Sequence, residues 1–207
     1  FFLWVHSQFL HLDRLVPDYN ARFLPPDRHE AAQGLIDRIE KNGIREVFDD
    51  HHEGLVRLSV DERADLISLY DGLLRMTDDF ISGLLDGLRR EGLDTITAVI
   101  VTSDHGMLFG EDGWLSHVGP PVWELQAVPL IAVLPGIGQV PGRVVDGFVE
   151  TVDIAPTILA YLGMPIPRRM QGHNLLPLTT GEPARGRDYA YAMIGGLEEY
   201  YGVRSSD

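Results

Sequence analysis

The chain has 207 residues, enough for one good-sized core and too few for two large domains. Its 44% hydrophobic and 23% charged residues are ordinary for a soluble globular protein, and no apolar run approaches the ~20 residues that span a bilayer. A formal charge of −14 argues against a nucleic-acid-binding surface, and the absence of cysteine excludes disulfides and thiolate metal sites.

Lys41 is the only lysine, so nearly all positive charge is arginine, which reads as genomic bias. No charged leader precedes an apolar stretch, so no targeting peptide is visible, and the cytoplasm is favoured over export. Phe1-Phe-Leu-Trp-Val5 is a continuous apolar run, the pattern of a strand buried on both faces in a parallel sheet. His6, next in that strand, reads as a satisfied core histidine. A start inside such a strand, and a tail Tyr201–Asp207 that stops as an extended segment begins, read as the two cut ends of a fragment.

Residues 12–57 are polar and irregular, with Pro17, Pro25 and Pro26, and read as a variable surface excursion. A helix from Glu30 to Lys41, closed by Gly43, is expected within it. Asp49-Asp-His-His-Glu53 could hold a metal, but reads better as a solvated acidic loop.

Ser59-Val-Asp-Glu62 is a capping box opening a strong helix, whose apolar stripe is Leu66, Leu69, Tyr70, Leu73, Met76, Phe80, Leu84 and Leu88. Gly92 stands where a glycine stop belongs. Asp71, Asp78 and Asp79 read as helix-surface positions. Ile96–Val101 and Val128–Leu134 are strand candidates, and Thr151–Leu162 is a second amphipathic helix with Pro156 in its first turn and Gly163 as its stop. Alternating helices and apolar strands predict one α/β domain over 1–207 with a mainly parallel sheet.

Asp104 and His105 follow directly on a predicted strand, at the carboxyl end where α/β sheets bind ligands. A carboxylate oxygen and an imidazole nitrogen suit a divalent cation without fixing which, and Gly106 permits the turn that brings them together. Taken alone, the pair reads better as a helix-capping Asp beside a surface His than as a ligand pair. Arg168, Arg169 and His173 read as a solvated turn rather than a substrate entrance.

The ordered series Ala98-Val-Ile-Val-Thr-Ser-Asp-His-Gly106, Gly110-Glu111, Gly113-Trp114, Val128-Pro-Leu-Ile131, Pro135-Gly136, Val152-Asp-Ile-Ala-Pro-Thr157, Gly163-Met-Pro165 and Gly172-His-Asn-Leu-Leu-Pro177 resembles the sulfatase family of the alkaline phosphatase superfamily. The resemblance implies an alkaline-phosphatase-like α/β/α sandwich, incomplete at both ends, and a metal-dependent sulfuric ester hydrolase. By the same resemblance Asp104 and His105 match the second pair of metal-site residues. His11 matches the histidine contacting the transferred group's oxygens, and His117 a position filled by Lys or His. Phe9-Leu10 and Leu12-Asp13 stand where members carry Asp-Pro before that histidine and Pro soon after it.

The family's formylglycine nucleophile arises from a Cys/Ser-x-Pro-x-Arg motif, which is absent from this chain and expected upstream of Phe1 together with the first pair of metal ligands. The resemblance further implies one divalent cation, calcium ahead of magnesium, manganese or zinc, and a small-molecule or saccharide sulfate ester as substrate. A phosphodiesterase or phosphonate monoester hydrolase is the rival reading, and a non-catalytic relative a third. The 207 residues alone are expected to bind a cation weakly and to hydrolyse nothing.

Overall fold

The computed structural model describes residues 1–12, 15–42, 44, 58–117, 119–180, 187–194 and 200–205. These form two compact units, residues 1–87 with 107–119 and residues 88–106 with 120–207. The acidic run 49–53 and Gly43 lie outside the described residues.

The first unit is built on α1 (Pro17–Asn20), α2 (His29–Asn42), α3 (Val60–Arg90) and a hairpin of β2 (Leu108–Phe109) and β3 (Leu115–Ser116). The capping box at the start of α3 forms as the spacing predicts: Glu62 N–H donates to Ser59 Oγ at 3.1 Å, and Ser59 N–H to Glu62 Oε2 at 3.0 Å. Leu66, Leu69 and Leu73 of its stripe are fully buried, each stabilising by about 1.5–3 kcal/mol. At the other end, Gly92 is left-handed (φ +67°). There Leu93 N–H reaches the Leu88 carbonyl and Gly92 N–H the Arg89 carbonyl, a Schellman stop.

The expectation of a surface excursion over 12–57 is corrected for its described residues. Leu12, Leu15, Leu24, Ala32, Leu35, Ile39 and Ile44 are buried and share one apolar cluster with the α3 leucines and Leu115. Leucines spaced irregularly between prolines carry no periodicity, yet still fill a core when the chain folds back over a helix. Gly72 marks that contact, since an added Cβ would stand 2.5 Å from Asn20 Cα, and the Asn20 amide donates to the Leu69 carbonyl at 2.6 Å.

Phe1–Val5 forms no strand and is exposed, from 92% at Phe1 to 49% at Val5. His6 is exposed too, not a core histidine. An apolar run states what a segment needs for cover, and no strand pairs with it among the described residues.

The second unit contains β1 (Val99–Thr102), α4 (Trp123–Gln126), β4 (Leu130–Val133), α5 (Ile154–Tyr161), α6 (Leu176–Thr179) and a hairpin of β5 (Tyr189–Ile194) and β6 (Tyr200–Ser205). The predicted helix at 151–162 is a 3-10 turn, Thr151–Asp153, leading into α5, with Pro156 buried in the first α-turn and Gly163 left-handed at the stop. The parallel pairing expected of the apolar strands does not occur among the described residues: β1–β4, β2–β3 and β5–β6 are all antiparallel. Apolar patterning reports burial on two faces but leaves the partner's direction open. No helix among the described residues is long and apolar enough to cross a membrane.

Candidate functional site

In the second unit the chain leaves β1 at Thr102 and turns irregularly through residues 103–106. Ser103 Oγ–H donates to the His105 carbonyl at 2.7 Å, and His105 N–H to Asp104 Oδ1 at 3.1 Å. No helix follows Asp104, which removes the helix-capping alternative. Gly106 does not use the left-handed region, and its importance is room. An added Cβ would stand 1.8 Å from the Glu124 carbonyl oxygen, and Gly106 N–H donates to the Leu125 carbonyl at 2.8 Å. The turn is therefore seated directly on α4.

The His105 ring is oriented by its own neighbour. Nδ1 lies 2.8 Å from the Gly106 carbonyl oxygen, which can only accept, so Nδ1 donates there and Nε2 is the nitrogen left to face a ligand. That Nε2 lies 3.8 Å from Asp104 Oδ1. Two donors on one divalent cation at about 2.0–2.4 Å stand about 3–4 Å apart, so the pair fits an ion without rearrangement. A backbone carbonyl holding the far nitrogen is also the usual support of a metal-binding imidazole. The Asp104 side chain is 67% exposed and that of His105 33%.

In the first unit the structure brings His11 and His117 together, their ring centroids 5.2 Å apart at 67°. His11 is half-buried, between Phe9, whose ring meets Phe80 edge-on at 5.4 Å, and the fully buried Leu12. His117 is exposed and follows Ser116, a buried serine in the left-handed region (φ +68°) that redirects the chain after β3. Gly119 then passes so close to Trp114 that an added Cβ would lie 2.9 Å from its ring. Glu111 fixes the other side of this loop by accepting from Phe109 N–H and pairing with Arg63 of α3. Burial pushes the Glu111 carboxyl up, but these partners outweigh it and hold it below the usual range. Two imidazoles at this separation can converge N–H groups on one tetrahedral oxyanion.

Of the remaining candidates, Asp79 pairs with Arg75 on the α3 surface at 2.6 Å, and Asp78 is exposed. Arg168, Arg169 and His173 are exposed, and the His173 N–H donates to Asp153 Oδ1 at 2.6 Å. That contact belongs to a network missed in the sequence. Asp153, fully buried, also accepts from Glu150 N–H and pairs with Arg187, which reaches Glu150 Oε2 at 2.9 Å. Burial pushes the Asp153 carboxyl up, yet Arg187 and the two backbone donors bring it below the usual range. The available signal was an acid inside an otherwise apolar helix start, Thr151-Val-Asp-Ile-Ala-Pro156.

Comparison with known proteins identifies the family. The sulfatase family profile matches residues 1–164. The chain is 30% identical over 161 residues to a multifunctional alkaline phosphatase superfamily protein, PehA, of Trinickia caryophylli, covering 77% of this chain and 30% of that protein. It is 32% identical over 139 residues to an N-acetylglucosamine-6-O-sulfatase of Bacteroides thetaiotaomicron, covering 63% of this chain and 25% of that protein. The solved phosphonate monoester hydrolase of Silicibacter pomeroyi superposes with a TM-score of 0.61 at 30% identity, over 67% of this chain and 27% of that one. The chain thus spans about a quarter to a third of the length of these relatives and shares their alkaline-phosphatase-like α/β fold. It belongs to the sulfatase family.

Proposed function

We propose that this chain forms part of one catalytic domain of a metal-dependent sulfuric ester hydrolase. The observation that carries the reading is the 103–106 turn, where a carboxylate oxygen and an imidazole Nε2 are presented 3.8 Å apart with the ring's other nitrogen held against a backbone carbonyl. Asp104 and His105 are proposed as metal ligands, with calcium the first ion to test and magnesium, manganese and zinc as alternatives. A bound cation would supply Lewis-acid polarisation of an ester oxygen. His11 and His117 are proposed to hold the non-bridging oxygens of the sulfuryl group, their N–H donors opposing the charge that develops there. The nucleophile is proposed to be a formylglycine from a motif these 207 residues do not contain. Likeness to the N-acetylglucosamine-6-O-sulfatase supports a saccharide sulfate as substrate.

A second reading, hydrolysis of a phosphonate monoester or phosphodiester, is favoured by likeness to the phosphonate monoester hydrolase at 30% identity. Parallel turnover of an aryl sulfate and an aryl phosphonate by the protein carrying this chain with its nucleophile separates them, and faster phosphonate hydrolysis would sink the sulfatase reading. Asp104→Ala tests the metal role directly. Calcium titration of the 207 residues is expected to show weak binding that the substitution abolishes, whereas binding unchanged by it would favour a non-catalytic relative.

A further inference from the structure

A cavity of about 640 Å³ opens in the second unit between β4, residues 139–145, α5 and α6. That lies within the range of about 300–1,000 Å³ that holds a whole small ligand. Leu130 and Leu134, Val145 and Val149, Ile154 of α5 and Leu178 of α6 make its walls aliphatic. No aromatic side chain lines it among the described residues.

The uncharged polar side chains on the lining are already spent on the protein. Gln139 Oε1 accepts from Leu134 N–H at 2.8 Å, and its amide donates to the Ala132 carbonyl at 2.7 Å, which pins its segment against β4. Thr157 Oγ–H donates to the Asp153 carbonyl at 2.6 Å, and the same oxygen accepts from Leu175 N–H at 2.9 Å. Thr179 Oγ–H donates to the Leu176 carbonyl at 2.8 Å. A saccharide, whose hydroxyls would give up water for aliphatic walls, is a poor occupant.

One charge stands on the lining. Arg143 is exposed, and among the described residues it pairs with no carboxylate, in a chain carrying 31 acidic against 17 basic residues. Val140 and Val144 near it are 45% and 85% exposed, so the apolar lining runs out to the surface where the guanidinium sits. Aliphatic walls with a planar, permanently charged donor fork at the exposed side complement a hydrocarbon chain that ends in an oxyanion.

We propose that this cavity binds a free, single-chain anionic amphiphile of the fatty-acid class. Its chain lies among the β4, α5 and α6 side chains and its carboxylate on Arg143. The inference is independent of the sulfatase reading, since it uses none of Asp104, His105, His11 and His117. Were Arg143 only a solvated surface charge, anions would gather there without regard to the length of their chains.

The test is calorimetric titration of the protein carrying this chain with octanoate, decanoate and 1-decanol, each below its aggregation concentration. Decanoate is expected to bind at a single site, roughly tenfold more tightly than octanoate, because two more methylenes leave water. Arg143→Gln is expected to weaken decanoate about tenfold and to leave 1-decanol unchanged. Val140→Trp, at an exposed position on the rim, narrows the mouth and weakens both. No saturable decanoate binding, equal affinity for octanoate and decanoate, or decanoate affinity unchanged by Arg143→Gln or by Val140→Trp overturns the site. So does binding to phosphatidylglycerol vesicles in place of monomeric decanoate, which would make this surface a membrane contact.

Discussion

Replacing Gly106 by alanine puts a Cβ 1.8 Å from the Glu124 carbonyl oxygen and 2.9 Å from its carbon. A tolerable contact begins near 3.0 Å, so the 103–106 turn and α4 must part by roughly 1.2 Å. The obstructing atoms are backbone on both sides, so no rotamer change relieves the overlap. The Gly106 N–H bond to Leu125 lies at the point of contact and is stretched or lost. Overpacking and one lost hydrogen bond together cost about 2–4 kcal/mol.

The effect on function follows from the His105 ring, which is held through the Gly106 carbonyl. Displacing that carbonyl releases the contact that orients the ring, and loss of such a support is expected to weaken cation binding by about 10–100-fold. Calcium titration and thermal unfolding of Gly106→Ala measure both effects. Gly83→Ala is the control, because a Cβ there meets nothing within 4 Å on an exposed face of α3. It is expected to leave calcium affinity unchanged and to add stability on the order of 1 kcal/mol. Wild-type calcium affinity and wild-type unfolding temperature in Gly106→Ala would refute the claim that the turn needs this close seat.

Asp153→Ala leaves two backbone N–H groups without an acceptor and Arg187 with Glu150 alone, a loss of about 3–5 kcal/mol to be read as a lower urea midpoint. The folded Asp153 pKa is depressed, so the carboxylate's stabilisation is present above about pH 4, its unfolded value, and is lost as pH falls through the folded one. Wild-type stability should therefore fall below pH 4 more steeply than that of Asp153→Ala, and parallel acid profiles would contradict this. Ser59→Ala removes the α3 cap and should cost about 1 kcal/mol in denaturant melts, while a change within error would mean that packing alone fixes the helix start.

What was legible in the sequence was local. The start of α3 depends on residues three apart, its buried face on three- and four-residue steps, and its stop on one glycine, so the chain order contains the whole argument. The same holds for Asp104 and His105, adjacent residues turned toward each other by bonds that span one or two positions. What escaped was everything set by distant partners. Leu12, Leu15 and Leu24 are core residues only because the chain folds back over α3, and Asp153 is tolerable in a buried position only because Arg187, 34 positions later, reaches it. Gly106 shows the boundary most clearly. Its presence after Asp-His suggests freedom to turn, a property of one residue, but the structure requires the missing Cβ for the sake of Glu124, eighteen positions on. A glycine's dihedral freedom can be argued from its neighbours in sequence; the space it leaves is defined by whatever packs against it. The site thus depends on α4 as much as on the motif, and substitutions that thicken either side of this contact should act alike.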